Sequence, residues 1–270
     1  MRKAEPSNLA DPYAKWHRIT ATDDEMVNTK LEAAEMNIEK ACNGGSCSAP
    51  ATGKLQIRVG YDDGFLSQVG GTSAKAKAYI DSAFAHVQAS YCHPSLGTKI
   101  IVERVGSPKH YSGRSLQATE PKLEEMFTTT QNDLQGADLM FYIGYETEQF
   151  GTVGLAYVGT VCLPYSDELK QSINEWRKTT AQAGYVFAHE MGHNLGMLHD
   201  FSDEHKGKGC NGEGIMSYGK PPSRWSHCSV ADFQAHYQNY KNSWCMEGTN
   251  KKRIQGVLFY MRWILSVRNF

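Results

Sequence analysis

What this chain lacks narrows its function before any motif is considered. No stretch of it approaches the roughly 20 consecutive apolar residues that cross a bilayer as a helix, so no transmembrane segment is expected. Neither charge sign is in excess: 28 Lys and Arg stand against 29 Asp and Glu over 270 residues, a net of −1. That leaves no polycationic footprint for nucleic acid. The seven cysteines form no C-x-x-C pair, which removes zinc-ribbon frameworks. There is no G-x-S-x-G elbow for a serine hydrolase and no catalytic-cysteine signature. Gly214 to Lys220 fits the first part of a phosphate-binding loop, but Pro221 stands where Ser or Thr is required. No N-x-[ST] sequon and no internal repeat occur. The opening residues MRKAEPSNLADPYAKW have no apolar core of a secretory signal.

What is present is enough for a globular protein, with hydrophobic residues at 40% and a length suited to one large domain with appendages. Dispersed cysteines at 42, 47, 92, 162, 210, 228 and 245 point to disulfides and an oxidising compartment. The expectation is therefore a secreted, extracellular protein whose chain is incomplete at its start, and a monomer.

Residues 22–41 carry Val27, Leu31, Ala34, Ile38 and Ala41 at helical spacing behind a capping-box pattern, Thr22 to Glu25. The Gly- and Ser-rich CNGGSCSAPATG then marks a linker. This divides the chain into an N-terminal segment, 1–52, read as a propeptide remnant or linker, and a main domain, 53–248. The basic, apolar tail, 249–270, fits an appended packed segment, a non-native end of the reading frame or an interfacial helix. Within the main domain, strands are expected around 55–59, 98–105, 139–143 and 153–161. Helices are expected over 72–91, from Thr119-Glu120-Pro121, over 179–198 and over 229–240. Strands interleaved with helices indicate an α/β (α+β) arrangement.

The chemistry is concentrated in His189-Glu190-Met191-Gly192-His193-Asn194-Leu195-Gly196-Met197-Leu198-His199-Asp200. Two histidines four apart share one face of a helix and can reach one ion. Gly196 can take a left-handed conformation that ends the helix and returns the chain, bringing His199 in as third ligand. Three imidazoles leave the fourth zinc position open, as catalysis requires. Glu190, beside the first ligand, is the natural general base, so the site is read as one catalytic Zn2+ serving metal-assisted amide hydrolysis. Met216, in Ile215-Met216-Ser217-Tyr218, supplies a Met-turn to the H-E-x-x-H-x-x-G-x-x-H signature. His205 and His227, outside the motif, are assigned to loops.

With these residues in place, the sequence resembles a metzincin of the adamalysin (reprolysin, ADAM-like) group. Asp200 follows the third histidine as in that group, where astacins show Glu, matrixins Ser and serralysins Pro. GTVGLAYVGTVC resembles the family's edge strand and following cysteine, and WSHCS its Phe-Ser-x-Cys-Ser; the likeness spans about 54–248.

The resemblance implies a twisted, five-stranded, mostly parallel sheet with helices and a smaller irregular C-terminal subdomain below the cleft. It implies a zinc metalloendopeptidase acting on protein or peptide substrates. Extended substrate would lie antiparallel along about Val153 to Tyr157, with Gly154, Leu155 and Ala156 central. It pairs Cys162 with Cys228; Cys210 with Cys245 and a local Cys42–Cys47 loop then leave Cys92 over. Asp138 matches a family calcium ligand, while Ala231 stands where the family has Asn, so the resemblance leaves a structural Ca2+ as an open expectation. Two alternatives stay open: a Cys42 or Cys47 thiolate blocking zinc in a latent chain, and a non-catalytic, toxin-like binding module on the same fold.

Overall fold

The computed structural model describes residues 16–20, 51–116, 120–145, 152–163, 167–217 and 224–240. The helix expected over 22–41, the Cys42–Cys47 loop and the tail lie outside these residues. The described strands are β1 (Trp16–Thr20), β2 (Ala51–Asp62), β3 (Lys99–Arg104), β4 (Lys109–Tyr111), β5 (Leu139–Gly144), β6 (Thr152–Tyr157) and β7 (Gln171–Glu175). The helices are α1 (Asp63–Gln68), α2 (Ser73–Tyr91), α3 (Glu120–Thr130), α4 (Thr180–Asn194) and α5 (His227–Tyr240).

All seven strands join one sheet in the order β1-β6-β7-β5-β2-β3, with β4 paired to the far end of β2 at Gly60–Asp62. Pairings β2–β3, β2–β4, β2–β5 and β5–β7 are parallel, while β6 runs antiparallel to both β7 and β1. The mixed α/β class and the mostly parallel sheet are as expected. The strand count is not: seven stand where five were anticipated. β4 is three residues long, too short to show a period, and β1 comes from the segment set aside as propeptide or linker.

The sheet's centre is buried on both faces, which is why β5 reads as an unbroken apolar run, Leu139-Met140-Phe141-Tyr142-Ile143. Successive side chains of a strand point to opposite faces. Accordingly Leu139, Phe141 and Ile143 join the larger core with Ile57, Ile80, Phe84, Val87, Val186 and Phe187, beneath α2 and α4. Met140 and Tyr142 join a smaller cluster with Met126, Phe127, Leu155 and Ile173, beneath α3. Residues 179–194 fold as anticipated, because Thr179 and Gln182 complete a reciprocal capping box at the start of α4. Between α4 and α5 the described residues form turns and one short 3-10 segment, the irregular lower part.

Candidate metal centre

α4 is buried along the whole of its last two turns, from Val186 to Asn194. It presents His189 and His193 on one face, their ring centroids 4.8 Å apart. Gly196 follows with φ 91°, the left-handed conformation that the return of the chain demands. His199 then comes back under the helix. Its Nε2 lies 3.1 Å from Nε2 of His189 and 3.1 Å from Nε2 of His193. The three imidazoles are 0%, 0% and 4% exposed for His189, His193 and His199.

The opposite ring nitrogens are already committed. Nδ1 of His189 lies 2.8 Å from the Ile215 carbonyl, and Nδ1 of His193 lies 2.8 Å from the Met197 carbonyl. A carbonyl only accepts, so each Nδ1 carries the proton and each Nε2 lone pair faces the common centre. Two inward lone pairs meeting the Nε2 of His199 in a dry site fit a cation, and three imidazoles that leave a fourth position to another ligand fit zinc.

Glu190 is fully buried, and neither carboxylate oxygen has a hydrogen-bond partner. Desolvation pushes its pKa well above the usual carboxylate range. The Met-turn closes the site from below. Met216 is fully buried against α4 at Gly192, and the Tyr185 hydroxyl donates to the carbonyls of Ile215 and Ser217.

Several supporting residues carried no signal in the sequence beyond their type. The Asn194 amide donates to the Tyr157 and Gln171 carbonyls and to the Thr160 hydroxyl, tying the end of α4 to β6 and β7. Asp200, noted above only for telling metzincin groups apart, accepts from the hydroxyls of Ser217, Ser226 and Ser229. It thereby locks the Met-turn to the start of α5. His205 is buried, its Nδ1 2.9 Å from the His199 carbonyl and its ring against Asp232, which also accepts from the Leu198 amide.

Gly154, Leu155 and Ala156 lie on β6, paired with Asn174, Ile173 and Ser172 of β7. β6 is not the outermost strand, because β1 pairs with its other side.

The cysteine pairing differs from expectation. Cys228 is bonded to Cys210, with Cα atoms 6.0 Å apart, so neither Cys162–Cys228 nor Cys210–Cys245 forms. The turn-rich segment after His199 brings Cys210 onto the first turn of α5, within the 4.4–6.8 Å a disulfide spans. Cys162 and Cys92 are disulfide-bonded too, so Cys92 is not left over. His205 stands beside Cys210 and Cys228, but the disulfide removes both thiolates as metal ligands. The calcium expectation also fares poorly. Asp138 is buried and its Oδ2 accepts the Gln56 amide at 2.7 Å, and Ala231 has no side-chain oxygen. These residues do not fit a calcium ion.

The model of metallo-peptidase family M12 (reprolysin) matches residues 51–234. Human disintegrin and metalloproteinase domain-containing protein 9 is 37% identical over 114 residues, 41% of this chain and only 13% of that protein's length. Snake venom metalloproteinase trimerelysin-2 of Protobothrops flavoviridis is 24% identical over 195 residues, 69% of this chain and 92% of that protein. Among solved structures, metalloproteinase-II from Bacteroides fragilis superposes with a TM-score of 0.48 at 15% identity, over 80% of this chain and 70% of that one.

Proposed function

Since the chain belongs to metallo-peptidase family M12, as a metzincin of the adamalysin/reprolysin type, we propose that it is a zinc-dependent metalloendopeptidase cutting internal bonds of protein substrates. One observation carries this reading. Three imidazoles bring their Nε2 atoms together, two of them held by backbone carbonyls in the tautomer whose lone pair faces that point, and beside the first of them an unpartnered carboxylate, Glu190, is buried.

His189, His193 and His199 would hold the zinc, which supplies Lewis acidity: it polarises the scissile carbonyl and lowers the pKa of water towards about 7. Glu190 takes the proton of the attacking water and delivers it to the leaving amine. The carbonyls of Ile215 and Met197 keep two of the rings in the tautomer that turns Nε2 inward. The side of β6 that pairs with β1 carries the backbone N–H and C=O groups that an extended peptide would use in place of β1, so that main-chain pairing would bind the substrate and the side chains refine the choice.

The same reading takes residues 53–248 as the catalytic domain and 1–52 as an N-terminal appendage, and it places the protein outside the cell, where its disulfides persist. Among the described residues no helix is long and apolar enough to cross a membrane.

The test is metal content and cleavage together. The purified chain is expected to hold about one zinc and to cut a denatured protein. Glu190→Ala should abolish cleavage while keeping the metal. A zinc-loaded chain that cuts nothing, even with the N-terminal segment cut away, would overturn the proposal.

A further inference from the structure

A second group of metal-ligating side chains lies apart from the catalytic histidines. His205, Cys210 and Cys228 each bring one ligand atom, and the three atoms lie within 4.8 Å of one another. All three residues are buried. Cys210 and Cys228 are joined as a disulfide, and only a thiolate binds a metal. The disulfide is one oxidation state of this pair, and two thiols are the other. His205 is placed beside them by contacts of its own: Nδ1 lies 2.9 Å from the His199 carbonyl and Nε2 lies 3.1 Å from the Asp232 carboxylate.

We propose that the dithiol form of this chain binds a second metal ion, of the zinc class, between His205, Cys210 and Cys228. In that form the ion replaces the disulfide as the cross-link between the turn-rich segment and the first turn of α5.

The exchange balances. Two electrons from an external dithiol, which leaves as a disulfide, and two protons convert the S–S bond into two thiols. The ion then displaces both thiol protons to solvent and is held by two thiolates. Around tetrahedral zinc, with Zn–S of about 2.3 Å, two sulfurs stand about 3.8 Å apart. The Cα atoms of Cys210 and Cys228 are 6.0 Å apart, and rotation about the Cα–Cβ bonds brings the two sulfurs to that separation.

The histidine is set as metal-binding histidines are. Each ring nitrogen faces an acceptor, so whichever of the two binds the ion, the other keeps a partner that fixes the tautomer. Asp232 is fixed in turn by the Leu198 amide at 2.9 Å. Two thiolates buried together need a cation to compensate their charge. Thiolate and imidazole are soft to borderline donors, so zinc, cobalt and cadmium fit this set and calcium and magnesium do not. None of the three ligands belongs to the catalytic set, so the proposal stands apart from the endopeptidase reading.

The experiment uses the full chain, its catalytic site filled with zinc, and compares the disulfide form with the form reduced by a phosphine under inert gas. The phosphine becomes its oxide, taking oxygen from water as the disulfide becomes two thiols, and adds no competing thiol. Co2+ is then titrated in, and the readouts are bound metal per chain and thiolate-to-cobalt charge-transfer absorption, which an all-imidazole site does not give. The disulfide form should hold one metal and show no such band. The reduced form should hold two and show it. Cys92 and Cys162 are disulfide-bonded as well and are reduced alongside, so two variants separate their thiols from this site. Cys210→Ser with Cys228→Ser should return the reduced chain to one metal and remove the band. His205→Ala should weaken its cobalt binding at least about tenfold, since the loss of an outer-shell partner alone costs that much.

A reduced chain that holds one metal overturns the proposal. So does a band that survives the double serine variant, and so does a cobalt affinity unmoved by His205→Ala. Should the reduced chain lose its fold, Cys228→His decides without any reductant: it abolishes this disulfide, leaves the Cys210 thiolate beside two imidazoles and spares the other disulfides. A charge-transfer band in that variant, weakened by adding His205→Ala, supports the site, and its absence overturns it. Peptide cleavage enters none of these readouts, so a chain that binds the second ion and cuts nothing would sink the endopeptidase reading alone.

Discussion

Gly154 of β6 lies so close to Glu190 of α4 that a methyl group on its α-carbon would come within 2.7 Å of the carboxyl carbon. The strand read as the substrate's track and the residue read as the base therefore share one packing contact. Glycine is required at 154 because the base fills the space a side chain would take.

Gly154→Ala is accordingly expected to displace the Glu190 carboxylate. Misplacement by about 1 Å costs on the order of 100-fold in rate, so kcat should fall by about that factor while zinc content stays the same. Unaltered kcat in a folded variant would show that the carboxylate has room to move.

Asp200→Ala should destabilise the lower part of the molecule. The carboxylate accepts from Ser217, Ser226 and Ser229, all three buried, and its backbone amide donates to the Met216 carbonyl at 3.0 Å. Removing the acceptor strands hydroxyl groups that cost about 1–3 kcal/mol each when unsatisfied. Mutual bonding of Ser226 and Ser229 recovers part of this, so a net loss on the order of 3 kcal/mol is expected in urea unfolding. A loss below about 1 kcal/mol would mean that water or repacking replaces the carboxylate.

Chelation should remove both activity and stability, and zinc should restore both. Zinc at 100 times its Kd adds about 2.7 kcal/mol to the folded state, which is roughly 5–10 °C in Tm for a domain of this size. Calcium should not substitute, because Asp138 lacks the partner oxygen that Ala231 cannot supply. A calcium-dependent rise in Tm would restore the calcium site.

Two buried groups should tilt stability with pH in opposite directions. Burial lowers the His236 pKa from 6.5 to about 4, so only the neutral ring is tolerated in the fold. The unfolded chain then binds more protons between those values, and stability falls as pH drops from 6.5 to 4, by about 3 kcal/mol. Burial raises the Asp62 pKa from 3.8 to about 6, although the Phe65 and Leu116 amides donate to its carboxylate. Here the folded chain binds more protons, and stability falls as pH rises from 4 to 6, again by about 3 kcal/mol. Relative to the unaltered protein, His236→Gln should therefore gain stability towards pH 4 and Asp62→Asn should gain it towards pH 6. Parallel unfolding curves for all three proteins across this range would refute both assignments.

Local pattern made much of the framework legible. α2, α4 and α5 carry apolar residues at helical spacing, and β2, β3 and β5 carry apolar alternation or runs. β7 was not legible: Gln171-Ser172-Ile173-Asn174-Glu175 shows no strand pattern, since Gln171, Ser172 and Asn174 are polar yet buried. Their burial is met by side-chain hydrogen bonds, such as Gln171 to the Phe127 carbonyl and Asn174 to the Tyr142 carbonyl, and these partners are more than 30 residues away. β4 was missed for brevity.

The meeting of the three histidines was determined by the sequence alone, because its geometry is local: one helical turn spaces His189 from His193, and a single left-handed glycine, Gly196, returns His199 to them. The partner of Cys210, the clasp Asp200 makes with three serines, the contact of Gly154 with Glu190 and the occupant of the β6 edge were decided by the tertiary structure. A thiol, a carboxylate, a missing side chain and a row of backbone amides accept any well-placed partner, and only the packing of distant segments selects which one arrives.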